Sequence, residues 1–397
     1  MEEPRYPVIK LKRGKDEAVR RFHPWVFSGA IDSAAQGLQA GDIVTVVDAD
    51  DNILGTGFCE SGSIAVKLLS FDNRKIGAMF WQERLGRCFE MRRSLGLPNE
   101  NTDCYRLVHS EGDHLPGLIV DIYGKTAVIQ AQTEGMALNI KNISEALQSV
   151  PGLDVKAVYN KSSEAMQRMG KDAIDDGYVF GESVTKIVTE NGSKFNVDWE
   201  TGQKTGFFLD QRDNRELVRR LAHDRDVLNT FSYTGGFSVT ALRGGARHCV
   251  SVDSSRKAMD ICANNLTLNG FDVESNPCVC QDAKEYLTNL EKDEFDLIIL
   301  DPPAFVKNHK NLHHGLQGYK FINYEALLKL RRGGFLFTFS CSQAVDVVQF
   351  QSVVMAAAIE AGRDAHILYR LSQPADHPVN IFHPEGSYLK GLVLKVD

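Results

Sequence analysis

Long apolar runs are missing from this sequence of 397 residues, and none approaches the roughly 18 residues typical of a membrane-spanning helix. The first residues, Met1 to Pro4, lack the basic and apolar pattern of a signal peptide. The eight cysteines include no Cys-x-x-Cys pair, so a disulfide framework is not expected. These absences favour a cytoplasmic protein with reduced cysteines.

An excess of positive charge is also missing. The net charge is −7, which weighs against a protein that coats nucleic acid indiscriminately, because such binding neutralises many phosphates. One run differs, with six basic residues against two acids: Lys10, Lys12, Arg13, Lys15, Arg20 and Arg21. From the residues alone, this run is either a solvated surface or a nucleic-acid contact.

The periodicity of apolar residues divides the chain into three segments, with no internal repeat. Residues 1–72 contain short predicted strands (8–11, 43–48, 53–58 and 64–69) separated by Gly and Asp/Asn turns. Residues 73–190 contain predicted helices over 80–95 and 137–150 with strands between and after them, which is typical of a small α+β domain. In residues 191–397 strands and helices alternate, which predicts a parallel sheet covered by helices.

Polar residues follow each predicted strand of this third segment. The strands are 227–231, 249–252, one centred on Val279, 295–300 and 335–340, and the residues after them are Ser232 to Gly236, Asp253, Asp282, Asp301 and Cys341. Ser254 is predicted to cap the helix after the second strand. Each residue alone is also explained as a helix cap, a turn or a buried thiol. Because ligands bind outside the carboxyl ends of strands in open α/β sheets, the joint pattern predicts one cleft.

The spacing within this cleft predicts a nucleoside cofactor. Such a ligand needs a glycine turn for close backbone approach and an acid for the ribose hydroxyls, and Asp253 follows Gly235 at a suitable distance in sequence. The turn lacks the Gly-x-Gly-x-x-Gly pattern that cradles a dinucleotide diphosphate. We therefore expect S-adenosylmethionine (SAM) rather than NAD.

Five segments resemble one family of enzymes: residues 23–29, 204–212, 229–237, 301–305 and 339–342. With them nearly the whole chain is similar to the bacterial large-subunit rRNA cytosine-C5 methyltransferases of the RlmI type. The resemblance implies an RNA-binding PUA domain at the N-terminus and a small α+β middle domain. It also implies a Rossmann-like class I methyltransferase domain with a mostly parallel seven-stranded sheet.

The same resemblance implies roles for individual residues. Asp253 would hold the ribose of SAM, Asp282 the adenine amino group, Asp301 would lie beside the transferred methyl and Cys341 would be the nucleophile. The full set predicted to bind SAM is Phe231, Ser232, Tyr233, Thr234, Gly235, Asp253, Ser254, Asp282, Ala283 and Asp301. The basic run from Lys10 to Arg21 would contact 23S rRNA or an assembly intermediate, and whether the chain forms a homodimer stays open.

Cytosine chemistry explains why a cysteine is expected. C5 is a poor nucleophile, so an enzyme adds a thiolate to C6 and thereby activates C5. An unperturbed thiol, with a pKa of about 8.5, is mostly protonated at neutral pH, and a helix start after Cys341 would favour the thiolate. Many RNA cytosine-C5 methyltransferases have a second cysteine, which assists release, where this chain has Ala304, so either release is slower or another group performs it. Asp301, Lys307 and water are the candidates for removal of the C5 proton.

Other interpretations stay open at this point. A guanine-nitrogen methyltransferase with a similar glycine turn would not need Cys341, and a non-catalytic RNA-binding or ribosome-assembly factor would keep only the fold. A small-molecule methyltransferase would leave the basic run unexplained. No metal site is predicted from His309, His313 and His314, which are expected to be exposed or to face RNA. The pairs His377-Pro378 and His383-Pro384 resemble family positions around the target base, and Phe305, Tyr319 and Tyr388 could either stack on a base or pack internally.

Overall fold

The computed structural model describes residues 3–168, 170, 174–183, 185–306 and 311–397. The chain forms two compact units. The N-terminal unit comprises Met1–Val188, Val197–Phe207 and Ala375–Gly386, and the C-terminal unit comprises Thr189–Asn196, Phe208–Pro374 and Ser387–Asp397. The boundaries of the three predicted domains, at 72 and 190, stay predictions.

A six-stranded sheet forms the first part of the N-terminal unit, in the order β2-β6-β5-β4-β1-β3. Its elements are β1 (Val8–Leu11), α1 (Glu17–Arg20), β2 (Trp25–Phe27), β3 (Ile31–Ala34), β4 (Ile43–Val47), β5 (Ile53–Cys59) and β6 (Ile64–Ser70). Alternating residues such as Ile9, Val44 and Val66 build its core. The sequence prediction missed β2 and β3, because β2 is very short and β3 is mostly exposed and shows no apolar alternation.

A five-stranded sheet in the order β11-β10-β9-β8-β7, with helices packed against it, forms the rest of this unit. Its elements are α2 (Ala78–Ser94), β7 (Cys104–His109), β8 (Leu118–Tyr123), β9 (Thr126–Ala131), α3 (Glu134–Leu138), α4 (Ile140–Ser149), β10 (Ala157–Asn160), α5 (Ser163–Arg168) and β11 (Gly177–Phe180). Phe80, Trp81, Leu85 and Phe89 lie at helical spacing on one face of α2 and are buried. A hairpin of β12 (Ile187–Glu190) and β13 (Ser193–Asn196) lies where the chain passes from one unit to the other.

A buried ion pair bonds to the segment 375–386, which belongs to this unit although it comes from the C-terminal part of the chain. Arg92 is fully buried and its Nη1 and Nη2 atoms donate to the Asp113 carboxylate at 2.5 and 2.7 Å. Arg92 also donates to the carbonyl oxygens of Arg106 and Asp376, at 2.8 and 2.7 Å. The position of the segment 375–386 therefore depends on the Arg92 guanidinium, whose charge Asp113 neutralises.

Removing Asp113 is expected to destabilise the N-terminal unit strongly. Asp113→Ala leaves a buried guanidinium without its counter-ion, and we expect the free energy of unfolding to fall by about 3–5 kcal/mol. Urea unfolding followed by tryptophan fluorescence reports on this unit, because Trp25, Trp81 and Trp199 all belong to it. The control Asp50→Ala breaks the exposed pair with Arg13 and is expected to change stability by less than about 1 kcal/mol. Equal losses in the two variants would contradict the prediction.

The C-terminal unit contains the predicted mostly parallel sheet, with seven strands in the order β16-β15-β14-β17-β18-β20-β19. Its elements are α6 (Arg212–Leu221), β14 (Asp226–Thr230), α7 (Gly236–Arg243), β15 (His248–Asp253), α8 (Arg256–Leu268), β16 (Cys278–Cys280), α9 (Ala283–Asn289), β17 (Leu297–Leu300), α10 (Leu312–Lys329), β18 (Gly334–Ser340), α11 (Val347–Ala361), β19 (Ala365–Leu371) and β20 (Lys390–Val396). The strands β14 to β18 are parallel, and β20 pairs antiparallel with both β18 and β19. Among the described residues no helix is long and apolar enough to cross a membrane.

Three local predictions in this unit were wrong. The strand β14 ends at Thr230, and Phe231, predicted within it, has left-handed backbone with φ 54°. The cap of α8 is Ser255 rather than Ser254, because the Ser255 side chain accepts a hydrogen bond from the Ala258 N–H. No helix begins directly after Cys341: α11 starts at Val347.

Candidate active site

The loop from Phe231 to Gly235, directly after β14, has an unusual backbone. Phe231, Tyr233 and Gly235 all have positive φ, at 54°, 47° and 80°. For side chains other than glycine such backbone costs of order 1–3 kcal/mol and persists only where the surroundings enforce it. Here Ser232 N donates to the carbonyl oxygen of Val252, and Tyr233 N donates to Asp253 Oδ2, both at 3.0 Å. The end of β15 therefore holds the loop in shape.

Gly235 is required by its packing as well as by its backbone. A Cβ atom at this position would lie 2.4 Å from Cys262 Sγ, well inside contact distance. Gly235 also directly precedes α7, whose first backbone N–H groups are available at a helix start. Only a residue without a side chain lets the loop approach α8 this closely.

Two acids lie at the carboxyl ends of neighbouring strands. Asp253, the last residue of β15, accepts hydrogen bonds from Tyr233 N and from Ser255 N, the latter at 2.9 Å, and remains partly accessible. Asp282 caps α9: its Oδ1 accepts from Lys284 N and Glu285 N at 2.9 and 3.1 Å, and its side chain is exposed. Both carboxylates can accept further hydrogen bonds from a ligand.

The donor and acceptor set of this edge fits SAM. Thr234 Oγ1 and Asn229 Oδ1 are buried and have no hydrogen-bond partner among the described residues, so they have unused capacity for a polar ligand. Phe231 and Phe305 are partly buried, with ring centroids 6.4 Å apart, and offer apolar faces for a base. An acid for a ribose, a glycine at the close approach and unsatisfied polar atoms are the features that a nucleoside with an amino-acid tail requires.

Cys341 and Asp301 lie at the same edge of the sheet. They follow β18 and β17, which are parallel neighbours with Leu300 opposite Thr338. Cys341 Sγ lies 3.9 Å from the carbonyl oxygen of Pro302, in the Asp-Pro-Pro segment. The thiol is partly exposed, and β17 also pairs with β14, which leads into the glycine loop. The structure therefore brings together the strand ends that the sequence singled out.

Ser342, the residue after Cys341, holds this segment through its side-chain hydroxyl. Ser342 Oγ lies 2.8 Å from Tyr319 Oη and accepts from Val306 N at 3.2 Å. Tyr319 is fully buried and burial raises the pKa of its hydroxyl, so it is a packing residue and not a base stacker. The Tyr388 hydroxyl donates to Asp210 Oδ2 at 2.6 Å. The bonds of Ser342 with Tyr319 and Val306 fix the backbone next to Cys341.

The predicted stabilisation of the Cys341 thiolate by an adjacent helix start is not available in the structure. The first turn of α11 is closed by a capping box, in which Asp346 Oδ1 accepts from Gln349 N at 2.7 Å and Gln349 Oε1 accepts from Asp346 N at 3.0 Å. The helix start is therefore displaced from Cys341 and already carries a carboxylate.

Cys249 and Cys262 are structural cysteines. All eight cysteines lie in the described part of the chain and none forms a disulfide. Cys249 and Cys262 are buried in the core of the C-terminal unit, and burial raises the pKa of Cys249 to about 12. Such thiols stay protonated and unreactive at neutral pH.

Of the histidines in the loop after Asp-Pro-Pro, His313 and His314 are exposed, as predicted. His309 and Lys307 lie outside the described residues, and His313 and His314 lie at the start of α10. Both His-Pro pairs belong to the N-terminal unit, where His23, His383 and Glu385 place potential metal ligands within 4.8 Å of one another. Because His23 Nδ1 accepts from Trp25 N at 3.2 Å, its proton lies on Nε2, which then has no lone pair for a metal.

Most of the basic run is neutralised within its own unit. Four of the six side chains form ion pairs: Lys10 with Asp51, Arg13 with Asp50, Arg20 with Asp16 and Asp48, and Arg21 with Glu17. Lys12 Nζ donates to the carbonyl oxygen of Gly29 at 3.2 Å, and exposed Lys15 forms no ion pair with a described residue. The pairs with Asp48, Asp50 and Asp51 were not predictable from the sequence, because these acids come from a turn that is distant along the chain.

Comparison with known proteins agrees with this geometry. Residues 128–393 match the family model of S-adenosylmethionine-dependent methyltransferases, and residues 9–71 match that of PUA-like domains. A protein from Streptococcus mutans described as a SAM-dependent methyltransferase shares the fold, with a TM-score of 0.82 at 22% identity over 98% of this chain and 99% of that one. Another methyltransferase, solved with the demethylated product SAH, also has a TM-score of 0.82, at 23% identity over the same shares of the two chains. Fold and site together define a SAM-dependent methyltransferase with an N-terminal PUA-like domain.

Two relatives identify the family more narrowly. The ribosomal RNA large subunit methyltransferase I of Klebsiella pneumoniae (strain 342) is 38% identical over 98% of each chain. The protein of the same name from Salmonella typhi is 38% identical over 99% of this chain and 98% of its own. The chain belongs to the ribosomal RNA large subunit methyltransferase I family. The predicted family, fold class and cofactor, SAM, are confirmed.

Proposed function

We propose that this enzyme transfers a methyl group from SAM to C5 of a cytosine in large-subunit rRNA, through a covalent bond between Cys341 and C6. The observation that carries the proposal is the position of the Cys341 thiol, 3.9 Å from the Pro302 carbonyl oxygen at the ligand-binding edge of a SAM-dependent fold. The names of its relatives support ribosomal RNA as substrate, and the PUA-like domain supports RNA binding. We place the reaction in the cytoplasm.

The residues divide the work as follows. Bound SAM supplies an electrophilic methyl group. Asp253 and Ser254 would hold its ribose, and Asp282 and Ala283 its adenine. The loop of Phe231, Ser232, Tyr233, Thr234 and Gly235 would enclose the remainder. Cys341 adds to C6 as a thiolate, which makes C5 nucleophilic. Asp301, which would lie beside the transferred methyl, accepts the C5 proton after C5 has formed its bond to the methyl group, and the bond between Cys341 sulfur and C6 then breaks to release the thiolate.

A guanine-nitrogen methyltransferase is the second candidate. Nitrogen has its own lone pair, so this reaction would need no thiol at the edge that carries Asp301 and Cys341. The placement of Cys341 there favours carbon methylation. A non-catalytic factor is disfavoured because the SAM-binding loop keeps its costly backbone.

Mass mapping of 23S rRNA tests the proposal. Cells that lack this protein are expected to lose one 5-methylcytosine, and wild-type protein supplied in trans is expected to restore it. Unchanged rRNA, or loss of a methylguanosine instead, would overturn the proposal for cytosine C5.

The exposed lysines of the basic run are expected to contact RNA phosphates. We predict that the double variant Lys12→Glu, Lys15→Glu weakens rRNA binding uniformly across sequences and lowers the salt dependence by about one to two phosphate contacts. Filter binding at several salt concentrations measures both effects. Arg13→Gln, at a position already paired with Asp50, is the matched control and is expected to matter less. If the control weakens binding more than the double variant, the assignment fails.

A further inference from the structure

A lysine from the last strand reaches the backbone on both sides of the nucleophile. In the antiparallel pairing of β18 with β20, Lys390 lies opposite Ser340, the residue before Cys341. Its Nζ donates at 2.8 Å to the carbonyl oxygen of Ser342, the residue after Cys341, and at 2.9 Å to that of Tyr388. The side chain is buried, with 7% of the residue exposed.

This ammonium lacks a counter-ion. It forms no ion pair with any described residue, and its two carbonyl acceptors use two of its three N–H donors. Burial lowers the pKa of the Lys390 ammonium. The negative charge of a Cys341 thiolate raises this pKa, and the Asp346 carboxylate raises it to a smaller extent. A buried cation without a partner is costly unless an anion forms near it, and the adjacent thiol can become that anion.

We propose that Lys390 is a positioning residue that stabilises the thiolate of Cys341. The inference rests on the proposed function, in which that thiolate attacks cytosine C6. On ionisation the S–H bond breaks and its proton leaves to solvent, while Lys390 stays an ammonium. Its charge thus supplies the stabilisation that the displaced start of α11 does not.

Other titratable groups lie near Lys390 and Cys341. The Asp346 carboxylate, at the cap of α11, also raises the pKa of Lys390, and Asp301 follows β17, the parallel neighbour of the strand that leads to Cys341. Tyr319, from α10, is near enough for a Cys341 charge to raise its own pKa. The negative charges of Asp301 and Asp346 disfavour a nearby thiolate, whereas the positive charge of Lys390 favours it.

Alkylation of Cys341 by iodoacetamide as a function of pH tests this role in the full chain, with the modified peptide quantified by mass spectrometry. Lys390→Gln keeps a hydrogen-bond donor but removes the charge. We expect it to shift the apparent pKa of the alkylation profile upward by about one unit, which slows alkylation at pH 7 about tenfold. Lys390→Arg keeps the charge and is expected to stay within about threefold of wild type.

The control is Lys395→Gln, on the same strand, where Nζ contacts Gly333 and the Phe335 ring and not the Cys341 segment. It is expected to leave the alkylation profile unchanged. A profile of Lys390→Gln equal to wild type would overturn the inference, since a purely structural lysine predicts that result. Alkylation does not require methyl transfer. If the wild-type protein methylates no cytosine, the proposed function is wrong, but the effect of Lys390 on alkylation is still measured.

Discussion

Replacing Cys341 by Ala is expected to lower methyl transfer to rRNA by about 10³-fold or more, because without the thiolate nothing activates cytosine C5. The assay follows radioactive methyl from SAM into rRNA. Binding of SAM, measured by calorimetry, is expected to stay within about twofold, since the predicted cofactor contacts come from other strand ends. Loss of rate with retained binding would assign Cys341 to chemistry.

The matched control is Cys59→Ala, a half-buried thiol in β5 of the N-terminal unit. We expect no change in its rate. If Cys341→Ala methylates rRNA at the wild-type rate, covalent catalysis is excluded and the guanine-nitrogen alternative gains support.

Gly235→Ala is expected to weaken SAM binding about 100-fold or more. The added Cβ would lie 2.4 Å from Cys262 Sγ at a φ of 80°, so the loop has to leave the shape that the end of β15 enforces. A 100-fold change in the dissociation constant corresponds to about 2.8 kcal/mol. Calorimetric titration with SAM measures it.

Gly270→Ala separates overlap from backbone strain. Gly270 has nearly the same φ, 82°, but an added Cβ meets nothing within 4 Å. We expect it to bind SAM normally. The double variant Gly235→Ala, Cys262→Ala removes the overlapping sulfur and is expected to recover part of the affinity. Normal SAM binding by Gly235→Ala would show that the loop is not part of the cofactor site.

Strand ends were predictable because the predicted strands of the C-terminal unit are short, mostly apolar segments that polar residues follow. The alternation located five strands, and the residues after them meet at one edge as expected. Backbone shape was not predictable in the same way. Phe231 has the apolar side chain expected at the end of a strand. Its positive φ depends on the hydrogen bonds between the end of β15 and the loop after β14, which the sequence pattern does not show.

Long-range pairing also escaped the sequence. The segment 375–386 belongs to the N-terminal unit, where Arg92 and Arg106 donate hydrogen bonds to Asp376, 284 and 270 positions away in sequence. The basic run looked free to bind phosphates until the turn at 48–51 was seen to neutralise much of it. Lys390 left one signal, a charged residue in a strand that is otherwise mostly apolar, but its nearness to Cys341 depends on the register of β20 with β18.

The most direct test of covalent catalysis uses rRNA that carries 5-fluorocytidine at the target position, incubated with the enzyme and SAM. Fluorine at C5 cannot leave as a proton does, so the bond between Cys341 and C6 is expected to persist. We expect a protein–RNA complex that survives denaturing electrophoresis and maps by mass spectrometry to Cys341. Methylation-competent enzyme that forms no such complex, or forms it through another residue, would contradict it.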